Sequence, residues 1–127
     1  MSSILMIFKQ EDYKELLNLY PKKWVCSSDL DDFYAYSDKV VLLETSYSSS
    51  SYDHLYDILN KLEEVPSDVY TTNSLFTKYA CTKEGLRSLL NSDLVDDITK
   101  RVWFRILDWL DNRCEVGESD SLYLLME

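Results

Sequence analysis

The chain is predicted to be a single α+β domain, residues 1–127. A small N-terminal β-sheet of three to four strands packs against a helix-rich C-terminal half with one long core helix, about residues 93–113. Three observations carry this expectation. Short apolar and β-branched runs concentrate in the first third, apolar residues at helical spacing dominate the remainder, and the 127 residues include only two Gly and two Pro. Strands gathered early and helices late describe an α+β arrangement rather than a doubly wound sheet. Scarce glycine argues against glycine-dependent phosphate loops and turn-dense barrels, and for long regular elements. A chain of this length buries roughly two-thirds of the surface it exposes when unfolded, enough for a core without disulfides or metal.

The elements follow in order. Ile4–Phe8 is an unbroken apolar run suited to a short buried strand. From Gln10 to Tyr20, residues Tyr13, Leu16, Leu17 and Tyr20 recur at i, i+3, i+4 and i+7, the stripe of an amphipathic helix, and Pro21 stops it. Trp24-Val25-Cys26 suits a second strand. The acidic, aromatic stretch from Asp29 to Asp38 reads as a loop leading into a strand, with Ser37-Asp38 as the turn to the next. Lys39–Thr45 is the clearest strand, apolar enough to be buried on both faces. Ser48–Ser51 break the pattern and cap a second helix, where Tyr52, Leu55, Tyr56, Leu59 and Leu62 keep helical spacing; Ser50 and Asp53 mimic a capping box. Pro66 ends that unit. Further helices are predicted from about Asn73 to Ala80, after Thr82, and from Asp93 to about Arg113. The tail from Ser121 to Met126 is either a last strand or an extended apolar arm.

The long helix carries the most information. At about 100° per residue, Val95, Ile98, Val102, Ile106, Trp109 and Leu110 share one broad face, which Trp103, Leu107 and Cys114 widen. Charged residues fill the opposite arc, and Asp93, Asp96 and Asp97 sit where carboxylates suit the positive end of the helix dipole. Phe104 projects into the charged arc. The first expectation is that the C-terminal tail covers it, the second that it is exposed for a partner.

Charge narrows the function classes. Twenty-three acidic residues against thirteen basic ones give a net charge of −10. Such a field repels phosphate backbones and anionic membranes and attracts basic protein surfaces, so direct nucleic-acid or membrane binding is not expected. Acidity for solubility alone is the plainer alternative. The three cysteines, Cys26, Cys81 and Cys114, are odd in number and widely spaced, which reads as free thiols in a reducing compartment. Ile4–Phe8 is too short for a signal-peptide core, and no run approaches the ~18–20 apolar residues of a membrane span. The expected location is the cytoplasm.

No catalytic motif stands out. Asp29-Leu30-Asp31-Asp32 resembles the start of a calcium loop, but Tyr34 stands where glycine is needed and Val40 where glutamate is needed. His54 is the one histidine, so no multi-histidine metal centre can form, and a surface or helix-end role is expected for it. The cysteines lack CxxC spacing, the run Ser48–Ser51 suits an ordinary flexible cap, and Walker, Rossmann, HExxH and GxSxG patterns do not occur. No catalytic residue, metal or cofactor is assigned.

Small size, acidity, aromatic richness and lack of chemistry are shared with bacterial immunity proteins and phage-encoded inhibitors, a similarity of kind with no motif behind it. The leading expectation is a non-enzymatic inhibitor, immunity-protein or antitoxin-like, capping a basic partner such as a nuclease toxin. Aromatics supply contact area and carboxylates select a cationic partner. The candidate docking residues are Asp29, Asp31, Asp32, Phe33, Tyr34 and Tyr36, then Asp53, Asp57 and Phe104. Alternatives are a phage or viral antagonist of a host defence nuclease, in one version a nucleic-acid mimic, and a small enzyme with dispersed residues such as Cys81 or the Asp29–Asp32 acids. An adaptor contacting its partner through Leu122–Met126 is a third.

Overall fold

A computed structural model describes residues 2–19, 33–67 and 76–127. Strand β1 (Ser2–Lys9) runs directly into helix α1 (Gln10–Leu19). A helical segment, α2 (33–37), and a turn over 38–40 lead to β2 (Leu43–Ser48), and helix α3 (Ser49–Leu59) follows without a break. Then come β3 (Glu63–Val65), β4 (Thr77–Cys81), α4 (Lys83–Leu90), the long α5 (Asp97–Arg113) and β5 (Leu122–Met126). The fold is α+β with a long C-terminal helix, as the sequence predicts.

The five strands form one sheet in the order β2-β1-β5-β4-β3, every neighbouring pair antiparallel. The last strand therefore fills the centre, with Leu124 opposite Ile7 on one side and Tyr79 on the other. Successive side chains on a strand point to opposite faces, and both faces here are apolar. Leu5 and Ile7 of β1 join Leu122, Leu124 and Met126 of β5 against α3, α4 and α5, with Trp103 at the heart of that layer. Met6, Phe8 and Leu125 face the other way, onto Tyr13 and Leu16 of α1 and Phe33 of α2. Lys78 of β4 is buried on this second face, its ammonium 5.1 Å from the Tyr13 ring centroid and 4.6 Å from that of Tyr123. Ring quadrupoles attract a cation so placed.

Several predicted elements shift. The segment expected to be a helix over 73–80 is strand β4 from Thr77; residues 73–75 lie outside the described residues. The strand expected over Lys39–Thr45 begins only at Leu43, after a turn, and is an edge strand alternating half-buried and exposed rather than buried on both sides. The stretch from Phe33 to Ser37 is helical, where a loop entering a strand was expected. The N-cap of α3 is Ser48, with no side-chain capping bond, so the helix starts one residue before the expected Ser50 cap position. Helix α5 starts at Asp97, not Asp93, because Asp96 is its cap. The expected strand at 24–26 lies outside the described residues, and the sheet, expected to be N-terminal, takes β4 and β5 from the second half of the chain.

The buried face of α5 is also rotated. Thr99, Trp103, Ile106, Leu107 and Leu110 are its buried residues, while Ile98 and Trp109, placed by the sequence on the core face, are exposed. The Trp109 indole satisfies its polar edge by donating to the Leu42 carbonyl at 3.0 Å, and the Arg113 guanidinium covers the ring at 4.9 Å. The tail is β5, engaged in the sheet centre, and Phe104 is exposed. Tail covering does not occur.

Candidate functional site

The most chemically concentrated region lies where α3 meets the start of α5. Asp96 has extended backbone angles and its Oδ1 accepts the Thr99 backbone N–H at 2.7 Å, closing the first turn of α5. That bond, helped by the nearby His54 imidazole, holds the Asp96 carboxyl below the usual carboxylate range. Thr99 is fully buried beneath it. Its hydroxyl lies 3.0 Å from His54 Nδ1 and donates to Asp57 Oδ2 at 3.5 Å. One turn on, the buried Trp103 indole donates to the His54 carbonyl at 3.2 Å. Thus α5 fixes α3 through both the backbone and the side chain of His54. Ligand-type atoms of His54, Asp57 and Asp96 all lie within 4.8 Å of one another.

Around this cluster the surface is acidic and partly apolar. Asp53 stands one turn before Asp57 on α3, exposed like it. Asp93 and Asp97 are exposed on either side of the cap. Leu94, 89% exposed, and Ile98, 55% exposed, alternate along the chain with Asp93, Asp96 and Asp97. Phe104 continues the surface along α5: with Asp97, Arg101 and Asp108 it shares one side at i, i+4, i+7 and i+11.

The other predicted docking residues separate. Asp29, Asp31 and Asp32 lie outside the described residues. Phe33 is fully buried, its ring 6.0 Å from that of Phe76, so it serves the core and is withdrawn as a docking residue. Tyr34 is half-buried against the same cluster and donates to Glu127 Oε2 at 3.0 Å; burial and that carboxylate push its phenol up. Tyr36 is exposed at 38%, with the Lys39 ammonium 5.2 Å over its ring. The structure brings Asp53 and Asp57 to one face and leaves Tyr36 as a separate exposed aromatic.

The sequence reading does not pick out Leu94 and Ile98 as surface residues, places Asp96 on the charged face without naming it a site residue, and gives His54 no partners. His54 and Asp57 at i, i+3 on one helix were a visible hint. Asp96 comes from 39 residues further along the chain than Asp57, and only the packing of α3 on α5 brings it near.

Two further groupings bear on chemistry. A shallow cavity of about 450 Å³ opens beside Cys81, lined also by Gln10, Lys61, Thr82 and Leu89. Burial pushes the Cys81 thiol up to about 12, the opposite of the depressed value that activates a nucleophilic cysteine. Behind α4, Lys83 meets Asp111 at 2.7 Å, and Arg87 pairs with both Asp111 and Glu118. This network ties α4 to α5 and to the loop before β5.

Comparison with family models, with curated proteins and with solved structures finds no match to this chain. Among the described residues, no helix is long and apolar enough to cross a membrane.

Proposed function

We propose that the chain is a non-catalytic, cytoplasmic binding protein that docks a basic protein partner, in the manner of an immunity protein or antitoxin capping a toxin or nuclease. The observation that carries this reading is Leu94 and Ile98, two large apolar side chains left 89% and 55% exposed, interleaved along the chain with the exposed acids Asp93, Asp96 and Asp97. An apolar centre with a charged rim is how a docking face combines contact area with selection of its partner. With a net charge of −10, the chain favours cationic over anionic partners. The raised Cys81 thiol supports a binding rather than a thiol-hydrolase reading.

The test is capture by the full chain from its native host, at low and then high salt, followed by affinity measurement with the recovered protein. A basic protein whose hold weakens with salt, and at least about ten-fold with Leu94→Ala plus Ile98→Ala in a chain of unchanged circular dichroism, is the expected result. Undiminished affinity in that double variant, or capture of acidic proteins alone, overturns the proposal.

A further inference from the structure

We infer that His54, Asp57 and Asp96 form a binding site for one divalent transition cation of the manganese–zinc class. The inference goes beyond partner docking and needs no partner to be true. One imidazole and two carboxylates offer ligand atoms within 4.8 Å of one another, compact enough for a single ion to touch all three after small side-chain rotations. The ligand set is mixed: the imidazole nitrogen suits zinc and its transition-metal neighbours, the two carboxylates also suit manganese, and calcium and magnesium prefer oxygen throughout.

Two independent features separate this cluster from an ordinary solvated acidic patch. First, the two carboxylates are held close by the fold, and among the described residues neither has a lysine or arginine partner; Lys83 and Arg87 pair instead with Asp111, at the far end of α5, and with Glu118. Like charges at this spacing repel, and a cation between them relieves that repulsion. Second, the ligands are positioned from behind. The buried Thr99 hydroxyl lies against both His54 and Asp57, Trp103 holds the His54 backbone, and the Thr99 N–H fixes Asp96. Such supporting bonds are what orient metal ligands. With a cation on the imidazole nitrogen, the Thr99 hydroxyl keeps its hydrogen for Asp57. Three protein ligands leave further coordination positions to water, on the exposed side of the cluster.

The test uses the full chain, stripped with chelator and titrated with Mn²⁺ while amide signals are followed by NMR. Paramagnetic broadening is expected to saturate at one ion per chain, to centre on the amides of residues 54–57 and 96–99, and to be reversed by Zn²⁺ but not by equal Mg²⁺. Asp57→Asn and His54→Gln should each weaken Mn²⁺ at least about ten-fold. Asp96→Asn should do the same while keeping an N-cap acceptor, so that loss of binding is not loss of the helix start. Broadening centred elsewhere, for instance on the acids Asp29–Asp32, overturns the proposal, as does affinity unchanged in Asp57→Asn or no saturable binding at all. Because no partner is present, this outcome is independent of whether the docking reading survives.

Discussion

Lys83 opens α4 with a side chain only 5% exposed, and its ammonium is held by Asp111 at 2.7 Å and Glu118 at 3.6 Å. A buried charge left without its partner costs more than a charge pair replaced by an apolar group. Asp111→Ala leaves Lys83 only the longer contact to Glu118 and should therefore destabilise the chain by about 1–2 kcal/mol, and Lys83→Met by clearly less, because Arg87 still neutralises both acids. Urea unfolding of the two variants checks this asymmetry, and equal losses would contradict it. The same pair of acids sets a pH dependence. Hydrogen bonds from Lys83 and Arg87 hold the Asp111 carboxyl below its usual range, and that from Arg87 does the same for Glu118. A depressed carboxyl stabilises the fold fully above its unfolded value of about 4 and loses that contribution as pH falls through the lower folded value. The gap in urea midpoint between the parent chain and Asp111→Ala is expected to hold at neutral pH and close in acid below about pH 4.

At the scale of elements, β5 matters most for integrity, since it joins the β2-β1 pair to the β4-β3 pair. Leu124→Pro would remove a ladder donor and clash in a strand paired on both sides. A loss of about 3 kcal/mol or more, against a total stability of about 5–15 kcal/mol, should abolish the sharp unfolding transition followed by circular dichroism. The sequence showed β1, α1, α3 and α4 because each carries one period and a clear stop. It hid β4 because both faces of the sheet are buried: Phe76, Lys78 and Tyr79 are all inside, so no alternation of apolar and polar survives, and Leu75, Phe76 and Tyr79 mimic helical spacing. Buried Lys78 completes the disguise, a charge in a core position made tolerable by the rings of Tyr13 and Tyr123. The phase of α5 was misread for a related reason. Its apolar arc spans more than the face it buries, and only the neighbours α3, α4 and β2 decide that Trp103 goes in while Trp109 reaches sideways to Leu42. For the candidate site, Asp53 and Asp57 were legible as exposed groups on a helix, whereas the exposure of Phe104, Leu94 and Ile98 was not, because residue type alone assigns such side chains to a covered position.

For the whole molecule, the surplus of ten negative charges and the exposed apolar pair act at different stages of an encounter. Long-range fields bias diffusion before contact, and short-range burial holds the partners after it. The two contributions are therefore separable by kinetics on the proposed complex. Asp53→Asn with Asp97→Asn removes charge at the rim, avoiding the ligand cluster, and should lower the association rate several-fold in about 50 mM salt while changing dissociation little. Leu94→Ala with Ile98→Ala should leave association nearly unchanged and raise dissociation about ten-fold or more, the signature of lost contact area. Raising salt to about 0.5 M should erase the effect of the aspartate changes and preserve that of the apolar ones, since screening acts on separated charges and not on a desolvated contact. A double aspartate variant that altered dissociation alone, at any salt, would mean that these carboxylates bond the partner directly instead of steering it. Equal association rates for the apolar variant at both salts would mean that the net charge of the chain plays no part in finding its partner.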